Sequence, residues 1–158
     1  MSNADVEIVL KRIDQAAELY QRLILLAAFS VTVKTVTLQT VHKLIGASLI
    51  NVNLELSRQL LELSERQRSL QLPRLLSGLI NEAPTEVVLL DNIELLFDPS
   101  LKQDPMRLLQ GMSRNKTLVV AWNGSVLDNH IIYAAPDHPE YKRYSTRELV
   151  VVNAMVIN

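Results

Sequence analysis

The chain contains no cysteine, and none of its 4 glycines lies before residue 46. The first absence excludes disulfides, a thiolate nucleophile and cysteine-ligated zinc, and it suits a reducing compartment. The second is local in effect: any loop in the N-terminal part must be built without the backbone freedom that glycine supplies. Aromatic residues make up only 4% of a composition that is 48% hydrophobic, so the core is expected to consist of Leu, Val and Ile rather than stacked rings. Long hydrophobic runs are missing too. The longest uninterrupted one, Leu23 to Phe29, has strand length and cannot span a bilayer. Excess charge of one sign is absent as well. A net charge of -1 gives no bulk attraction to nucleic acid or to an anionic membrane, so any DNA contact would be indirect or confined to a local patch. Asp5 and Glu7 stand where a secretory signal would carry positive charge, which predicts a cytoplasmic protein. Ser2-Asn3-Ala4 has the look of a tag remnant.

What is present is a regular alternation of helical and strand patterns over one domain, residues 1–158. Val6, Val9, Ile13, Ala17 and Tyr20 recur at helical spacing and predict an N-terminal helix within residues 1–20, with Asn3 or Asp5 as cap. Residues 23–29 read as a strand covered on both faces. Thr35 to Ile45 read as a helix with Val36, Val41 and Leu44 on one side and Gly46 as its stop. A second strand is expected over 47–54, then a helical pair over 55–70 and 72–80, the second opened by Pro73. Further strands are expected over 86–93, 117–122 and 148–157, with a helix between Asp104 and Gly111. Asn123-Gly124 signals a turn, and a short hairpin fits the polar stretch that follows. The expected fold is therefore a single α/β domain of three layers, with right-handed crossovers and a mainly parallel sheet of about five strands.

Three strand ends carry the residues of chemical interest. After the first strand, Ala28 to Thr35 reads "AFSVTVKT", which has the spacing of a phosphate-binding G-x-x-x-x-G-K-(S/T) loop with both glycines replaced, by Ala28 and Val33. Such a loop turns backbone N–H groups of residues such as Ser30, Val31, Thr32 and Val33 toward phosphates; Lys34 would neutralise charge and the Thr35 hydroxyl would hold magnesium. A β-branched valine where glycine freedom matters most argues for weak binding, and the plainer alternative is an ordinary loop with a solvated lysine. After the third strand, "VVLLDNIELLF" places Asp91 where a second magnesium-binding carboxylate belongs, or where a chain simply leaves its core. Asn92 follows where many ATPases with this strand-end arrangement carry a water-activating glutamate, so Glu94 would have to serve as the base or hydrolysis would be slow. Asn123, after the fourth strand, sits where a sensor asparagine orients attacking water, although Asn-Gly is also a common turn pair. All three positions fall at the carboxyl ends of strands, where open α/β sheets bind ligands.

The segments "INVNLELSRQLLELSERQR", "LPRLL", "VVLLDNIELLFDPSLKQDPMRLLQGMSRNKTLVVAW" and "HPEYKRY", spread over residues 48–144, resemble the BrxF family, small P-loop proteins of one type of BREX (bacteriophage exclusion) system. The resemblance implies an AAA-like P-loop NTPase fold, ATP with Mg as cofactors, and other BREX components as partners. It also implies a role in phage defence. Completing a nucleotide site would take a partner or an identical subunit, because there is no room after the last strand for the helical lid that many AAA-like enzymes carry. In AAA-like assemblies an arginine near the last strand can reach a neighbour's nucleotide, which singles out Arg143 and Arg147. From the glycine-free loop comes the alternative that the chain keeps the fold and serves as an interaction subunit without turnover. His42, His130 and His138 lack metal-ligand spacing, and Arg58, Arg66, Arg68 and Arg74 alternate with acids as on a mixed solvated face.

Overall fold

A computed structural model of the chain describes residues 3–28, 30–134 and 137–154. In chain order the elements are α1 (Asn3–Ala16), β1 (Leu23–Ala28), α2 (Val31–Ile45), β2 (Ser48–Asn51), α3 (Val52–Leu60), α4 (Glu65–Glu82), β3 (Val87–Asp91), α5 (Pro105–Met112), β4 (Thr117–Leu127), β5 (His130–Tyr133), β6 (Lys142–Ser145) and β7 (Val150–Asn153). Two 3₁₀ turns, Glu94–Phe97 and Pro99–Leu101, follow β3.

β1 is buried along its whole length. It runs parallel to β4 on one side and to β7 on the other. The path β2–β3–β4–β1–β7 is parallel throughout. Because successive side chains point to opposite faces of a strand, β1 feeds two cores. Leu23, Leu25 and Ala27 belong with Leu56 of α3, Leu72 of α4 and Leu109 of α5. Ile24, Leu26 and Ala28 belong with Val6 and Val9 of α1 and Leu38 and Val41 of α2. The result is the expected α/β domain of three layers, with a mainly parallel sheet between two helical layers. Each fully buried Leu or Ile contributes about 1.5–3 kcal/mol to holding those layers together.

Several boundaries differ from the sequence expectations, each for a local reason. The helix α1 ends at Ala16, which is buried while Ala17 and Tyr20 are exposed. α2 starts at Val31, not Thr35, and its buried stripe is Lys34, Thr37, Leu38 and Val41, leaving Leu44 62% exposed. β2 stops at Asn51, whose side chain accepts from Leu54 N and starts α3 early. The break in the helical pair falls at Ser64, where Ser64 and Gln67 form a reciprocal capping box, a signal that the spacing S-x-x-Q already carried.

Pro73 lies inside α4 rather than at its start. It cannot donate to the carbonyl four residues back, Ser69 O, and the Gln103 side-chain amide donates to that oxygen at 2.8 Å instead. Gly111 lies within α5, which Ser113 ends. The last strand covers only Val150–Asn153 of the expected 148–157, and residues beyond 154 lie outside the described ones.

The largest difference concerns β4. Instead of turning at Asn123-Gly124, it continues to Leu127 and leaves the parallel sheet to pair antiparallel with β5, which pairs with β6. The turn falls at Asp128-Asn129, both with positive φ (50° and 61°), the pattern of a two-residue hairpin turn. Gly124 serves a different need: a Cβ there would come within 1.7 Å of Ile132 O on the neighbouring strand. The two antiparallel strands raise the count beyond the five parallel ones and form a wing on the sheet.

Candidate functional site

The strand order sets β4 between β1 and β3, so the carboxyl ends of these strands are neighbours. In register, Ala28 of β1 stands opposite Asn123 of β4, and Asp91 of β3 stands opposite Asn51 of β2. Lys34, Thr35, Asp91, Glu94 and Asn123, drawn from four separate segments, lie around this edge.

Lys34 is 1% exposed. Its Nζ donates to Ala28 O at 3.0 Å and to Trp122 O at 3.1 Å, tying the ends of β1 and β4 together. Burial pushes its pKa below the ordinary lysine value, while the Glu94 and Asp91 carboxylates act in the opposite direction. The Thr35 hydroxyl donates to Asp91 Oδ2 at 2.9 Å. Asp91 Oδ1 accepts from Asn92 N at 2.9 Å, with Asn92 in the left-handed region at φ 54°. Glu94 accepts from Asn123 Nδ2 through Oε1 and from Asn53 Nδ2, at 2.9 Å, through Oε2.

Asn53 was not among the residues singled out from the sequence. It accepts from Leu95 N at 2.8 Å, and its own N–H donates to Asn92 O at 2.8 Å, so it fixes both Glu94 and the chain leaving β3. The available signal was a polar residue just past the carboxyl end of the strand beside β3. It was obscured because Asn53 was assigned to the strand itself.

The Ser30–Val33 segment does not form a loop. Ser30 is the N-cap of α2, its Oγ accepting from Val33 N at 3.2 Å and its carbonyl from Lys34 N at 3.4 Å. Val31, Thr32 and Val33 form the first helical turn. Without glycine this segment has no easy access to the turns of a phosphate cradle, and the helix with its serine cap is the available solution. Phe29 lies outside the described residues.

Two groups implied by the sequence therefore fare differently. The phosphates of ATP lack the closed cradle of a glycine loop at Ser30–Val33, because the Val33 and Lys34 amides are committed to the Ser30 cap and the helix. A hard cation does fit the oxygen donors of Thr35 and Asp91. Among the described residues no group of 3 or more His, Cys, Asp or Glu could hold a metal, so Mg would draw its other ligands from elsewhere. Beside Lys34 and Asn123, and lined by neither Thr35 nor Asp91, lies a cavity of about 330 Å³, bordered by Ala28 and Val31 on one side and Gly124, Ser125 and Ile132 on the other.

The remaining candidates stand apart. Arg143 is exposed on β6 with its guanidinium 3.3 Å from His130 Nδ1, and Arg147 is exposed between β6 and β7. Arg68 donates to the carbonyls of Leu60 and Leu63 and so closes the end of α3. No helix among the described residues is long and apolar enough to cross a membrane.

Fold and site together define an α/β domain with a polar cluster at the carboxyl edge of its parallel sheet. Comparison with protein-family models, curated proteins and solved structures gives no match to the chain.

Proposed function

We propose that the chain is a small P-loop NTPase-like (AAA-like) subunit of a BREX phage-defence system that has kept the magnesium side of a nucleotide site and lost the phosphate side. It acts through other BREX components as an interaction subunit, and it binds ATP weakly. The observation that carries this reading is a conjunction: the Thr35 hydroxyl lies 2.9 Å from Asp91, on a helix that begins at Val31 where a phosphate loop would run. Supporting it, Lys34 is directed to strand-end carbonyls rather than to solvent. The test is calorimetric titration with Mg-ATP. Little heat is expected from the unaltered chain, and a clear binding isotherm from Ala28→Gly/Val33→Gly. Tight binding by the unaltered chain would overturn the proposal.

A second reading, Mg-dependent ATP hydrolysis, is favoured by one feature: Lys34, Thr35, Asp91, Glu94 and Asn123 converge although they come from separate segments. On that reading Lys34 would serve the phosphates, Thr35 and Asp91 the metal, Glu94 the base role and Asn123 the sensor role. Phosphate release by the unaltered chain that disappears in Asp91→Asn would select it.

A further inference from the structure

The parallel sheet ends at β7, whose one strand partner among the described residues is β1. Ala154 N donates inward to Ala27 O at 2.8 Å. Alternate residues of a parallel strand bond the same neighbour, so Val150 and Val152 also turn their backbone groups to β1, and Val151 and Asn153 turn theirs outward. Among the described residues nothing pairs with those outward N–H and C=O groups. The other edges are blunted: β6 carries Lys142 and Arg143, and at β2 the Ser48 N–H is taken by the Thr85 hydroxyl at 3.0 Å. Residues 149–154 of the β7 edge carry no charge. A cavity of about 360 Å³, with Arg12, Gln15 and Leu19 on one side and Leu149, Val150 and Val151 on the other, keeps that edge open.

We infer that this edge is a homodimer interface, in which β7 pairs antiparallel with β7 of a second copy about a two-fold axis at Val152. The register follows from the outward groups. In an antiparallel ladder, residues that turn their backbone groups toward each other stand opposite and exchange both hydrogen bonds. Setting Val151 opposite Asn153 of the second copy also sets Asn153 opposite Val151 of that copy, and Val152 then faces its own counterpart. Every outward N–H and C=O of Val151 and Asn153 is satisfied in both copies at once, as a self-complementary two-fold interface requires. An unrelated strand would have to match these groups by its own sequence and shape, whereas a second copy matches them by symmetry. The pairing joins the two parallel sheets into one. It uses no residue of the polar cluster, so it stands independently of whether ATP binds.

The absence of cysteine makes the register testable on the full chain. Opposed antiparallel residues that do not bond each other have Cα atoms about 4.5 Å apart, within disulfide reach. Val152→Cys should therefore give a disulfide-linked dimer under mild oxidation, although Val152 is 2% exposed. Leu61→Cys, at the end of α3 and 73% exposed, should link at least about tenfold more slowly. Light scattering of the unaltered chain at about 100 µM should give twice the 17.8 kDa monomer mass. Asn153→Pro removes one outward N–H and leaves the inward bonds, so it should be monomeric with an unchanged far-UV spectrum. A monomeric unaltered chain, a dimer that persists in Asn153→Pro, or linking at Val152 no faster than at Leu61 would each overturn the inference. If Asn153→Pro does not fold, the comparison of the two cysteine variants is sufficient to overturn it.

Discussion

The two flanks of the polar cluster obey different rules. On the β3–β4 flank the chemistry resides in side chains: Asp91 at the end of β3 accepts from Thr35, and Glu94 in the 3₁₀ turn that follows accepts from Asn123 of β4 and from Asn53. On the α2 flank, phosphate chemistry would reside in backbone N–H groups, and Ser30 and the helix have taken those of Val33 and Lys34. Side-chain spacing can survive the loss of glycine. A backbone cradle cannot, because its function is the backbone conformation itself.

The comparison breaks most visibly at Lys34. Lys34→Ala leaves two strand-end carbonyls without their donor and should cost about 2–4 kcal/mol in urea unfolding, whereas exposed Thr32→Ala in the same turn should cost under about 0.5 kcal/mol. Equal costs would mean that Lys34 contributes nothing special. Next in size, restoring glycine at positions 28 and 33 should raise Mg-ATP affinity by about tenfold or more by calorimetry, since it returns conformational freedom only to the α2 flank. Adding Asp91→Asn to that background probes the other flank. Metal dependence of binding should fall several-fold, with a stability loss of about 1 kcal/mol from the weakened Thr35 contact. A stability loss that accounts for all of the binding loss would mark Asp91 as structural.

The smallest effect lies away from both flanks. Burial, reinforced by Asp104, raises the Tyr144 pKa above its ordinary value of 10.0, and its hydroxyl donates to Asp104 Oδ1 at 3.1 Å. A tyrosine raised in the folded state contributes stability that is present below its unfolded pKa and lost as pH rises through the folded one. Thermal melts of Tyr144→Phe should therefore lose less stability above pH 10 than those of the unaltered chain. Identical alkaline profiles would remove Tyr144 from that account.

The parallel strands were legible because continuous apolar runs such as Leu23–Ala28 and Val87–Leu90 leave few alternatives in a layered α/β fold. That Asp91, Glu94 and Asn123 lie at one polar edge was legible because strand ends are where such sheets turn polar. Three features were not. The start of α2 depended on whether Ser30 would cap, which competes with loop formation over a few residues. Pro73 could enter a helix only because Gln103, distant in sequence, serves Ser69 O. Gly124 resembled a turn residue, and only the approach of β5 reveals that it answers to crowding.

The central position of β1 also bears on how the chain emerges from the ribosome. β1 pairs with β4 and β7, both encoded far downstream, and with neither of the strands that follow it directly. At about 5–20 residues per second, a fully apolar strand waits several seconds for its first partner. During that interval α1 and α2 can shield only the face of Ile24, Leu26 and Ala28; the face of Leu23, Leu25 and Ala27 waits for α3 and α4, and both backbone edges stay open. Slowed translation ahead of β4 should therefore lower the yield of folded protein more than slowed translation after it.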